Sequence, residues 1–87
     1  MNELQQTLRR LHDELREAGP LAPDDRAMLE TALADIQGAL HTAGEADLAA
    51  ADHGDALEGA AVRLEAGHPA VATAIRAVLD ALAKAGI

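Results

Sequence analysis

Leu4, Leu8, Leu11 and Leu15 follow a 4-3-4 spacing, which lines one face of a helix with a heptad seam. Gly19-Pro20 ends that pattern, because Gly suits the position after a helix and Pro cannot continue the ladder. Pro23 then restarts a helix, with Asp24 and Asp25 in a first turn where the helix dipole favours negative charge. Its seam is Leu29, Leu33, Ile36 and Leu40, again 4-3-4, widened by Met28 and Ala32. A third pattern places Leu57, Ala61 and Leu64 on one face and stops at Gly67. His68-Pro69 opens the last, where Val71, Ile75, Val78 and Leu82 repeat the spacing and Ala72 and Leu79 broaden it. Gly86-Ile87 resembles a C-cap whose final side chain folds back onto the preceding turn.

These patterns predict an all-α protein, a small antiparallel bundle of three to four helices in one domain spanning residues 1–87. The expected helices cover about 3–18, 24–43, 53–66 and 69–85. Residues 44–54 carry conflicting signals, helix-favouring Ala between flanking glycines, and read as a variable linker, mobile or partly helical, ending near Asp52. The narrow seams of the first two helices, Leu4, Leu8, Leu11, Leu15, Leu29, Leu33, Ile36 and Leu40 with His12 at the edge, are expected at an interface. Leu57, Leu64, Val71, Ile75, Val78, Leu79, Leu82 and Ile87 are expected in the core. Short helices with strict seams supply little core each, so a homodimer is favoured over a monomer.

Composition narrows the function classes. With 87 residues and neither cysteine nor any aromatic residue, Leu, Ala, Ile, Val and Met must build the whole core. Disulfides, thiolate chemistry and cysteine metal sites are excluded, and the stacking platforms of single-strand nucleic-acid binders are missing. The net charge of −8 resides in residues 24–67, where ten acids face only Arg26 and Arg63. Such a chain repels phosphate backbones, so no nucleic acid is expected, whereas a basic protein partner is. The start, Met1-Asn2-Glu3-Leu4-Gln5, is not read as a signal peptide, and no apolar run reaches membrane-spanning length. A cytoplasmic protein without membrane contact is expected.

Glu3-Leu4, Leu8, Leu11-His12 and Glu14-Leu15 at one end, with His68-Pro69, Ile75, Asp80, Leu82-Ala83 and Gly86-Ile87 at the other, carry a resemblance. They are similar to the bacterial family known as domain of unknown function 4404. The likeness covers about two-thirds of the chain, and the His-Pro to Gly-Ile stretch is its more specific half. It implies a bacterial source and a short helical fold, and it brings no activity and no functional residues.

The residues themselves point the same way. His12 has no second histidine at i+3 or i+4, the spacing helical metal boxes need. His41 suits a helix C-terminus, where a cation complements the dipole, and His68 shapes the junction before Pro69. Asp52-His53-Gly54-Asp55 gathers possible ligands, but matches neither an EF-hand loop nor a zinc motif. Serine is absent, and Thr7, Thr31, Thr42 and Thr73 have no histidine at a suggestive spacing. Outer faces carry i,i+4 pairs, Arg9 with Asp13, Arg10 with Glu14, and Asp80 with both Arg76 and Lys84. No enzyme, cofactor or metal site is expected. The reading is a self-associating helical interaction or scaffold protein with an acidic middle. Its alternatives are a bundle binding metal or a small ligand through His12, His53 and nearby acids, and an acidic mimic that inhibits a basic partner.

Overall fold

Pro, Gly and Asp place the helix ends, and the leucine seams decide which faces turn inward. A computed structural model describes residues 3–41 and 46–84, of which 39–41 and 46–53 are described by backbone alone. Among these residues the elements are four helices and no strand: α1 (Glu3–Glu17), α2 (Pro23–His41), α3 (Ala46–Leu64) and α4 (Pro69–Lys84). Just past α1, Gly19 adopts a φ of 73°, the left-handed conformation that closes a helix C-terminus. The Ala22 carbonyl accepts from the Arg26 amide at 3.0 Å and so opens α2. At the α3–α4 junction the His68 amide donates to the Leu64 carbonyl at 2.7 Å, while the His68 carbonyl accepts from Ala72 at 3.1 Å. One residue thereby closes one ladder and opens the next.

Of the two readings of residues 44–54, the structure takes the helical one from Ala46 on, and α3 starts earlier than the bound expected near residue 53. The helix begins at Ala46, so residues 46–54, read from sequence as a linker, are helical. The alanines between Ala46 and Ala51 supply high helix propensity, and a single Gly54 inside a helix costs only about 1 kcal/mol. Asp52 is therefore inside the helix and not its N-cap. Residues 42–45 and 85–87, including the Gly44 terminator and the Gly86-Ile87 cap, lie outside the described residues.

The helices stand in a ring. α1 packs broadly on α4, α4 on α3 and α3 on α2, while the α1–α2 contact is much the thinnest and no backbone approach is made across the diagonals. The 22 × 18 Å cross-section suits a two-by-two array of helices about 10 Å apart. Neighbours run antiparallel. Lys84 near the end of α4 reaches Glu3 at the start of α1 at 3.6 Å, and Asp25 early in α2 meets Arg63 late in α3.

The core is entirely aliphatic. α1 buries Leu4, Leu8, Leu11 and Leu15, and α2 buries Leu29, Ala32, Leu33 and Ile36. α3 adds Leu57, Ala60, Ala61 and Leu64. α4 turns the widest face inward, with Val71, Ala72, Ala74, Ile75, Val78, Ala81 and Leu82 buried, because it is flanked by α1 and α3 on both sides. Alanines on these inner faces let backbones approach where bulkier residues would hold them apart. No polar or charged side chain is buried among the described residues.

Candidate functional site

The leucine seams expected at an interface are closed within one chain. Leu4, Leu8, Leu11, Leu15, Leu29, Leu33 and Ile36 all belong to the buried core cluster, so the folded monomer does not offer them as free surface. His12, expected at the edge of that interface, is exposed. Of the residues expected in the core, Leu57, Leu64, Val71, Ile75, Val78 and Leu82 are buried and Leu79 is packed against them. The side chains of Leu40, His41, His53 and Ile87 lie outside the described residues.

With no polar side chain buried among the described residues, the chemistry available to a partner is on the outside, and there the two arginines of the acidic stretch matter most. Arg26 turns back to the end of α1. Its Nη1 donates to the Leu15 carbonyl at 3.2 Å and its Nη2 to the Gly19 carbonyl at 2.7 Å. It thus satisfies one carbonyl of the kind a helix terminus leaves unpaired, that of Leu15, and one in the connection that follows. Arg63 crosses to α2, where its Nε and Nη2 both reach Asp25 Oδ1, at 3.2 and 2.8 Å. Gly59 gives that guanidinium its room, since a Cβ there would lie 3.2 Å from Arg63 Nη1. The Asp25 carboxylate is 16 % exposed and its partner 55 %, so water weakens the pair and its worth is about 1 kcal/mol or less.

Both cations of the middle are therefore engaged inside the molecule. Asp24 and Glu30 on α2 and Asp55 and Glu58 on α3 are exposed, and no ion pair joins them to another described residue. Val62 lies on the outer side of α3, one turn from Glu58, and is the large apolar residue most open to solvent among the described residues, at 62 %. Among the described residues the outer surfaces of α2 and α3 consequently carry uncompensated negative charge, with Val62 as an exposed apolar point.

The outer face of α1 is mixed instead. Arg9, Arg10, Asp13, Glu14 and Glu17 line an open groove with Gln6, too shallow to exclude water. The pairs expected from i,i+4 spacing do not close there, for neither Arg9–Asp13 nor Arg10–Glu14 forms an ion pair. Arg76 likewise leaves Asp80 and bonds Glu65 at 3.0 Å across the α3–α4 junction. Solvated side chains on long stems gain only a few tenths of a kcal/mol from such a pair, so small geometric differences decide whether it forms. The Asp80–Lys84 pair does form, at 3.1 Å. Its hydrogen bond and charge, with the charge of Glu3, hold the Lys84 ammonium above the ordinary lysine range.

The destinations of Arg26 and Arg63 are what sequence reasoning missed. The only signal was their isolation among ten acids. Among the described residues no three of His, Cys, Asp or Glu gather where they could hold a metal ion. No described helix is long and apolar enough to cross a membrane. A family model described as "Domain of unknown function (DUF4404)" matches residues 4–87. No curated protein and no solved structure matches the chain.

Proposed function

The chain belongs to the DUF4404 family, and from that premise we propose a non-enzymatic interaction protein that offers its α2–α3 side to a basic protein and pairs with itself. One observation carries the first half. The acidic stretch turns its only two cations, Arg26 and Arg63, onto groups of its own chain, and leaves Asp24, Glu30, Asp55 and Glu58 uncompensated. A surface arranged so attracts Lys- and Arg-rich segments, speeds their encounter and repels acidic competitors. Val62 adds a point of apolar contact amid that charge.

The second half is supported by size and composition. An aliphatic, alanine-rich core in 87 residues supplies limited stability, and pairing is a common remedy.

The test of the acidic side is a titration with a dye-labelled Lys/Arg-rich peptide, followed by anisotropy at low and physiological salt. Binding should weaken with salt, and the double variant Asp55→Asn/Glu58→Gln should weaken it several-fold while leaving the far-ultraviolet CD unchanged. Affinity that ignores both salt and the double variant would remove the α2–α3 side from the account.

A further inference from the structure

The monomer seals the seams through which a pair of chains was expected to meet, and the way it seals them suggests how a pair could still form. We propose that the self-associated state is a helix-exchanged dimer, in which each chain lays its α1 against α4 of the second copy, in the place between α2 and α4 that the copy's own α1 fills in the closed form. The inference rests on the self-association proposed above and names its interface.

Three features converge on α1. First, it is joined in sequence to the helix it touches least. Its leucine seam is satisfied chiefly by α4, and its contact with α2 is the thinnest in the ring. Moving α1 to another copy keeps the α1–α4 packing and disturbs little else. The exchanged seam is identical to the closed one, which makes exchange a low-cost route to a dimer.

Second, the connecting residues 18–22 lie at one end of the bundle and carry opposed preferences. Pro20 fixes its own φ and biases the residue before it toward extended backbone. The closed turn nevertheless holds Gly19 at φ 73°, a conformation glycine tolerates and other L-residues resist. Drawn out, five residues span roughly 17 Å. That is close to the 18 Å width of the bundle, enough to carry α1 onto a neighbour set end to end.

Third, the closed turn has an identifiable latch. Arg26 holds two carbonyls, of Leu15 within α1 and of Gly19 within the connection. After exchange, Arg26 meets the end of the other copy's α1 and recovers the first bond. The second, which depends on the closed turn, is released. The balance between closed and exchanged forms thus falls on Gly19 and its bond, apart from the seam.

Gly19 is also a clean lever, because a Cβ there would find nothing within 4 Å. Gly19→Ala burdens the closed turn through its backbone conformation and nothing else. Gly19→Asn adds a larger side chain but tolerates the left-handed region. Each protein is refolded from urea over a range of high concentrations, and monomer and dimer are then measured by native mass spectrometry and light scattering. Exchange predicts a wild-type dimer whose association constant rises about ten-fold or more in Gly19→Ala, since every dimer opens two turns, and stays near wild type in Gly19→Asn. A wild-type dimer whose constant is the same in all three proteins forms by surface pairing, which overturns exchange and leaves self-association standing. A monomer in all three at every concentration overturns both. Should Gly19→Ala fail to refold, the inference still requires a wild-type dimer that trades chains with isotope-labelled protein only after unfolding. Free mixing within minutes overturns it.

Discussion

Ala74 offers a direct test of how the bundle is filled. It is fully buried on α4, and Ala74→Leu adds three carbons of apolar bulk without disturbing helix propensity. If the core had space, those carbons would contribute about 2 kcal/mol, at ~0.8 kcal/mol per buried CH2. If alanine is there because neighbouring backbones lie close, the same carbons force neighbours off their rotamers at a cost of about 1–3 kcal/mol. The two accounts differ in sign. The ring arrangement, with α4 packed on both α1 and α3, predicts the loss. For a chain of this size the melting temperature should fall by about 4–24 °C, taking ~4–8 °C per kcal/mol. The assay is thermal and urea unfolding followed by helical CD, since the chain has no aromatic residue to report by fluorescence. Ala83→Leu on the exposed side of the same helix is the control and should stay within about 0.5 kcal/mol of wild type. A stabilised Ala74→Leu protein would refute the idea that alanine sets the spacing.

Other perturbations probe other parts of the structure. Leu11→Ala removes a fully buried side chain from the middle of α1 and should cost about 2–5 kcal/mol in urea unfolding; an unchanged midpoint would show that α1 does not dock. Arg26→Met keeps the apolar stem and deletes the bonds to the Leu15 carbonyl of α1 and the Gly19 carbonyl of the connection, which should cost about 1–2 kcal/mol given partial exposure; no loss would reduce the latch to an incidental contact. Lys84 has its pKa raised by Asp80 and Glu3, so its small contribution is present at neutral pH and below and is lost as pH climbs through and above the lysine range. Lys84→Met should therefore flatten the alkaline limb of the stability profile, and an identical limb in both proteins would contradict the sign. With a net charge of −8, added salt near neutral pH should raise the melting temperature by screening self-repulsion; a fall would indicate that ion pairs outweigh it.

The helical character and the inward faces were legible because one signal, the 4-3-4 recurrence of leucine and its relatives, is also the physical cause of burial. Leu4 through Leu15 and Val71 through Leu82 read correctly as single faces. Which partner covers a face was another matter. The seam of α1 carries the same letters whether α4 of its own chain or a second copy lies against it, so spacing alone could not separate core from interface. The start of α3 was obscured by Gly54, which reads as a break in a local window. Arg26 and Arg63 were opaque for a different reason. Their bonding partners lie 11 and 38 residues away, and only the fold brings them within reach. The i,i+4 ion pairs failed where Arg9 and Arg10 are concerned because water competes well for an exposed pair.

The closing of the ring by α1 on α4 has a consequence for the order of events during folding. A contact between the first and last described helices must wait until most of the chain exists, and it closes the longest loop in the molecule. The α3–α4 and α2–α3 hairpins need only short connections and can form early. α1, made before the other described helices, then waits for α4 with four leucines and only the thin contact with α2. Its charged outer face keeps that waiting helix soluble, and the same interval is when two nascent chains lying side by side could trade it.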